Sequence, residues 1–282
     1  MAAQLAHAGE SVVLWGREPG VSAIADQGLT VTGAVSLAAR VAAVSGPLPQ
    51  AELYLVATKT PLNADLAARM AEEIPAGSRV LVCQNGLEPE REFVRLLGEE
   101  RVFRAILYLG AARVTAGAIT VSFWSRPTLI GGTDAAQARS LAERLDRAGH
   151  RAAYTPEIRR FAWEKVILNA ITNPLCALGG RTISEVMHDS RFLPLLHEAQ
   201  AVAAADGVEL GPDFEAQALM LLARTGEHRG SMWEDVRMGR LTEIDALNGR
   251  IVALGERLGV SVPTHRQVVE AVTAVSMGRG TR

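Results

Sequence analysis

Lys165, Asn169 and Asn173 recur at i, i+4 and i+8 in the second half of the chain. On an α-helix these positions share one face, drifting about 40° per step over about 12 Å. An ammonium donates protons, and an amide both donates and accepts hydrogen bonds. The neighbouring Val166, Ile167, Leu168, Ala170, Ile171 and Leu175 are apolar, so the stripe belongs to a largely buried helix. Buried polar groups need partners, and a lysine at that depth is costly unless it is paired or faces a ligand. A helix–helix hydrogen-bond seam would satisfy the same spacing.

Two further polar tips follow short apolar runs. Thr58-Lys59 comes after LYLVA, and Gln84-Asn85-Gly86 comes after RVLVC. If the runs are parallel strands, both tips lie at the carboxyl edge of the sheet, where ligands bind in open α/β folds. Each could also be ordinary turn chemistry, Asn-Gly above all. Gly16-Arg17 follows SVVLW. At the end of the second strand of a dinucleotide-binding fold, an arginine suits an adenosine 2′-phosphate, whereas an acidic residue suits the free hydroxyl. Alone, Arg17 could be a solvated charge. A last cluster runs Ser231-Met232-Trp233-Glu234-Asp235, then from Thr242-Glu243-Ile244-Asp245 to Asn248-Gly249. Its acidic residues could simply favour a helix start, or Glu243 could face Lys165.

The elements that must position these residues read as two domains, 1–155 and 156–282. In the first, strand signals at 11–15, 53–57, 79–83, 102–109, 118–123 and 128–130 alternate with helices at 2–8, 61–73 and 135–148. Short buried strands separated by helices imply a parallel sheet with helical crossovers. After residue 155 helical patterns dominate, at 156–178, 192–205, 212–224, 241–258 and 264–275. The fold class expected is an α/β Rossmann-type domain followed by an all-α domain. The sequence contains no G-x-G-x-x-G. Its opening reads as the end of the helix that follows such a loop, then the second strand. The expectation is that a first strand and phosphate loop, roughly a dozen residues, lie upstream of Met1. A domain without that loop is the alternative.

A length of 282 residues, 48% hydrophobic and 21% charged, suits a packed core and argues against disorder. The net charge of -2 gives no nucleic-acid footprint. Cys83 and Cys176 form neither a metal nor a disulfide pattern, and the six histidines show no metal-ligand spacing, so no metal site is expected. No run approaches the roughly 18 apolar residues of a membrane span. With no signal peptide legible, a soluble cytoplasmic protein is the expectation.

Taken in order, Arg17, Thr58-Lys59, Gln84-Asn85-Gly86, the W-E-K-x-x-x-N-x-x-x-N-P-L run from Trp163, Ser231-Met232 with Asp235, and T-E-I-D-x-x-N-G from Thr242 resemble the ketopantoate reductase family. The likeness extends over residues 1 to about 275. It implies a Rossmann-type domain joined to a helical domain with the active site between them, and NADPH-dependent reduction of the small oxo acid 2-dehydropantoate to pantoate. By resemblance, Lys165 would be the general acid, with Glu243 beside the nicotinamide ribose and substrate, helping set the charge state of Lys165. Asn169, Asn173 and Ser231 would bind substrate, Asn85 would touch cofactor and substrate, and Arg17 and Lys59 would contact the cofactor. Reduction of another oxo acid and non-catalytic binding are the competing readings. The assembly state is open, a homodimer included.

Overall fold

The computed structural model of the protein describes residues 1–279. The chain forms two compact units. One comprises Met1–Ala57, Asn63–Gln84 and Glu90–Ile158; the other comprises Thr58–Leu62, Asn85–Pro89 and the chain from Arg159 onward.

The first unit contains, in order, α1 (Ala2–His7), β1 (Val13–Trp15), α2 (Gly20–Gln27), β2 (Leu29–Gly33), β3 (Leu37–Ala39), β4 (Ala42–Val44), β5 (Leu53–Val56), α3 (Asn63–Glu73), β6 (Arg79–Val82), α4 (Arg91–Leu97), β7 (Val102–Ile106), β8 (Leu109–Thr115), β9 (Ala118–Trp124), β10 (Thr128–Gly131), α5 (Ala135–Arg147) and β11 (Ala152–Tyr154). Its principal sheet runs β11-β10-β7-β6-β5, parallel except where β10 meets β7. β1 and β4 form a separate parallel pair. β6 is apolar at successive positions because both of its faces are covered. Val80 and Val82 pack with Met70 of α3 and Phe93 of α4, while Leu81 packs with Leu141 and Leu145 of α5. The α5 helix starts where the Asp134 carboxylate accepts from Gln137 N–H at 3.0 Å, an N-cap that satisfies an orphan donor.

A second sheet, β3-β2-β9-β8, was not expected from the sequence. Its β9 matches the strand expected at 118–123, but β2, β3 and β8 are short or mostly exposed, so they lack the apolar run or clean alternation by which a strand declares itself. The expected strand at 102–109 is also two elements, β7 and the start of β8.

The second unit is helical: α6 (Ile158–Gly179), α7 (Ile183–Val186), α8 (Phe192–Ala205), α9 (Phe214–Thr225), α10 (Ser231–Arg237), a π-helical turn over Asp245–Gly249, α11 (Arg250–Leu258) and α12 (Pro263–Arg279). The α6 helix is central. Trp163, Val166, Ile167, Ala170, Ile171 and Leu175 are buried in one core with residues of α8, α11 and α12. Among the described residues no helix is long and apolar enough to cross a membrane.

Candidate active site

Most of the residues singled out in the sequence belong to the helical unit. Lys59 and Asn85 follow β5 and β6, yet the segments that carry them cluster with the helices. Arg17 and Gln84 lie in the other unit.

Lys165, Asn169 and Asn173 all sit on α6. Lys165 and Asn169 are half-buried and Asn173 is buried. The Lys165 ammonium donates to Asn85 Oδ1 at 2.9 Å. This fixes the orientation of the amide, because a lysine can only donate. Asn85 Nδ2 consequently faces Glu243, donating to its Oε2 at 3.4 Å, a long bond. The two groups expected to face one another are thus both engaged by one amide.

The loop that carries Asn85 is held against the segment that carries Glu243. Leu87 N–H donates to the Ala246 carbonyl at 2.9 Å, and Leu87 itself is buried in the helical core. Gly86 has φ +110, and a Cβ there would lie 2.9 Å from Ala246 O, so glycine is required twice over. Arg250 donates to the Glu88 carboxylate, which completes the contact. The helix expected at 241–258 begins here as a π turn, with Gly249 N–H reaching back to the Ile244 carbonyl. Such wide turns are found mostly inside helices at functional sites.

Lys59 donates to Asp235 at 2.5 Å. Asp235 is only 5% exposed and also accepts from Arg240 Nε at 3.0 Å. The carboxylate therefore has two cationic partners, as a buried charge must. It stands one turn after Ser231, the exposed first residue of α10. Asp235 had no role assigned in the sequence; its spacing from Ser231 was the available signal. The preceding Gly230 approaches Asn173 so closely that a Cβ would overlap Asn173 Oδ1.

In the first unit, Arg17 is exposed two residues beyond β1. The neighbouring Glu18 carboxylate is occupied: it accepts from Ser22 N–H at 3.2 Å and Ser22 Oγ at 2.8 Å in α2. Both cysteines are free thiols, and burial pushes Cys83 up to about 12, which keeps it protonated and inert. Among the described residues no cluster could hold a metal ion.

The family model for ketopantoate reductase PanE/ApbA matches residues 1–134, and that for its C-terminal domain matches residues 157–276. The chain belongs to the ketopantoate reductase family. It is 29% identical to the 2-dehydropantoate 2-reductase of Pyrococcus abyssi over 270 residues, covering 92% of this chain and 88% of that protein. It superposes on the PanE/ApbA family ketopantoate reductase of Ralstonia eutropha JMP134 with a TM-score of 0.90 at 27% identity, covering 99% of this chain and 94% of that one. The fold is also that of D-mandelate dehydrogenase, in a structure with NADH and anilino(oxo)acetate. There the TM-score is 0.88 and the identity 24%, with 98% and 94% of the two chains covered.

Proposed function

We propose that this protein reduces 2-dehydropantoate to pantoate with NADPH, supplying the precursor of pantothenate and coenzyme A. Family membership supports the reaction class. The observation that carries the assignment of roles is the Lys165–Asn85–Glu243 constellation, with its two amides further along the same helix.

The residues fit the adenosine 2′-phosphate end of the cofactor. Arg17 presents a solvent-facing guanidinium past β1, while Glu18, the carboxylate that could have favoured a free ribose hydroxyl, is engaged by Ser22. Lys59, Asn85 and Glu243 are the other proposed cofactor contacts. The sequence has no glycine-rich phosphate turn, so no pyrophosphate contact is assigned. Held by Arg17, Lys59, Asn85 and Glu243, the nicotinamide cofactor would provide the hydride equivalent that the ketone reduction requires.

Lys165 supplies the balancing proton to the keto oxygen. Its ammonium also stabilises the negative charge that develops there. Asn85 aims the ammonium, since its Oδ1 occupies one of the three N–H directions. The Glu243 carboxylate, held through the other end of the same amide, completes the pair. Asn169, Asn173 and Ser231 donate to the substrate carboxylate and hydroxyl. Residues 1–155 would thus supply the cofactor contacts Arg17, Lys59 and Asn85, and residues 156–282 would supply Glu243, the proton donor Lys165 and the substrate contacts Asn169, Asn173 and Ser231.

The test is NADPH oxidation by the full-length polypeptide with 2-dehydropantoate, with pantoate identified as product. Faster turnover of an aryl 2-oxo acid, or of NADH, would move the assignment to a related oxo-acid reductase.

A further inference from the structure

We propose that Asn248 is a positioning residue for Glu243, and that Pro174 creates the acceptor it uses. The inference rests on the reading of Lys165 and Glu243 given above. Pro174 lies inside α6. Proline has no N–H, so in an α-helix the carbonyl four residues earlier loses its partner. That carbonyl is Ala170's, one residue past Asn169 and buried in the helical core. A buried carbonyl without a partner bears its full desolvation penalty.

Asn248 fills the gap. Its side-chain Nδ2 donates to Ala170 O at 2.8 Å, and Asn248 is wholly buried. The second N–H of the same nitrogen points to His265 Nδ1 at 3.0 Å, and His265 Nε2 donates to the Leu195 carbonyl at 2.9 Å. The histidine tautomer follows: Nε2 carries the proton because a carbonyl can only accept, which leaves Nδ1 to accept from Asn248. One amide thereby ties α6, α8 and α12 to the π turn.

The π turn is the segment that must be placed. Glu243 lies two residues before it, and Leu247 N–H donates back to the Glu243 carbonyl at 3.1 Å. Ala246, within the turn, receives the Asn85 loop. Asn248 thus sets the height of this segment along α6, and with it the positions of Glu243 and Asn85 relative to Lys165. The proline in the N-x-x-x-N-P run and the asparagine in the T-E-I-D-x-x-N-G run are two halves of one contact.

The proline makes the test separable from simple stability. Asn248→Ala strands the Ala170 carbonyl and unties the turn. Adding Pro174→Ala restores a backbone N–H to that carbonyl without re-tying the turn. Melting temperature, kcat, KM for 2-dehydropantoate and the pH profile of kcat are measured for the wild type, Asn248→Ala, Pro174→Ala and the double variant. Asn248→Ala is expected to melt lower and to lose about 10–100-fold in kcat, the scale of an ångström-level misplacement. The double variant is expected to regain melting temperature while its kcat stays low and its pH profile stays displaced. Recovery of kcat together with melting temperature would overturn the proposal, as would a folded Asn248→Ala protein with wild-type kcat. Lys165→Ala and Glu243→Ala, run alongside, separate the two levels. If both are slow while Asn248→Ala is not, only the positioning role fails; if Lys165→Ala keeps its turnover, the reading beneath it fails as well.

Discussion

Asn85 holds Lys165 by its oxygen and Glu243 by its nitrogen, so its two ends cannot be exchanged without cost. Asn85→Asp keeps the shape but turns an oxygen toward the Glu243 carboxylate. Loss of the amide donor and the added repulsion are expected to lower kcat about 10–100-fold, the scale of a hydrogen bond to a charged group. Steady-state kinetics at neutral pH check this, and an unchanged kcat would contradict the assigned amide orientation. At the other end of the proposed cofactor, Arg17→Ala should weaken NADPH by about 10–100-fold and NADH little, because only the former carries the 2′-phosphate. Titration with both cofactors decides it; equal losses would mean that Arg17 does not meet the phosphate.

At the scale of elements, the decisive features are places where one backbone approaches another. Gly86→Ala meets both a φ of +110 and the Ala246 carbonyl, and Gly230→Ala meets the Asn173 side chain. Each is expected to cost about 1–3 kcal/mol of stability, the range for a residue forced into such a conformation or overlap. Gly86→Ala should also reduce kcat by moving Asn85. Thermal melts with parallel kinetics test both, and a Gly86→Ala protein with wild-type values would show that the loop is not docked as described. These contacts explain what the sequence could and could not disclose. Long periodic segments were legible: α5, α6 and α8 lie close to their expected bounds because burial on one or all faces writes itself into residue type. The stripe on α6 was equally legible. The β3-β2-β9-β8 sheet was legible only in β9, since the short or exposed β2, β3 and β8 carry no such pattern. The π turn was not legible, because a single bond from Gly249 N–H to the Ile244 carbonyl leaves no mark on residue type or spacing. Likewise the Lys59–Asp235 and Asn248–Ala170 bonds join motifs that the sequence showed only in order.

For the whole molecule, two buried histidines couple folding to pH. Burial lowers His150 from 6.5 to about 3, and burial also lowers His265. His150 is neutral in its network: Nδ1 faces Gln4 Oε1 at 2.8 Å and Nε2 faces the Thr128 hydroxyl at 3.0 Å. Below 6.5 the unfolded chain takes up protons that these folded imidazoles refuse, so stability falls as pH drops from about 6.5 toward 3. His150 contributes a slope of about 1.4 kcal/mol per pH unit within that window, and His265 adds in the same direction. Carboxylates held low by arginine partners, such as Glu10 against Arg144 and Asp189 against Arg191, add to the loss in stronger acid. Denaturant melts from pH 7 to pH 4 measure the slope. Replacing His150 with glutamine should flatten it, and an unaltered slope would place the acid sensitivity elsewhere.

Lys165 is the proposed donor of the proton to the keto oxygen. The most direct measurement is the turnover of the Lys165→Ala protein with 2-dehydropantoate at saturating NADPH, alongside its NADPH dissociation constant. The expected result is a fall in kcat of about 10²–10⁴-fold, the range for a general acid, with cofactor affinity nearly intact. Lys165→Arg should not restore it, because a guanidinium holds its proton at neutral pH. Turnover close to that of the wild type in Lys165→Ala would contradict the account.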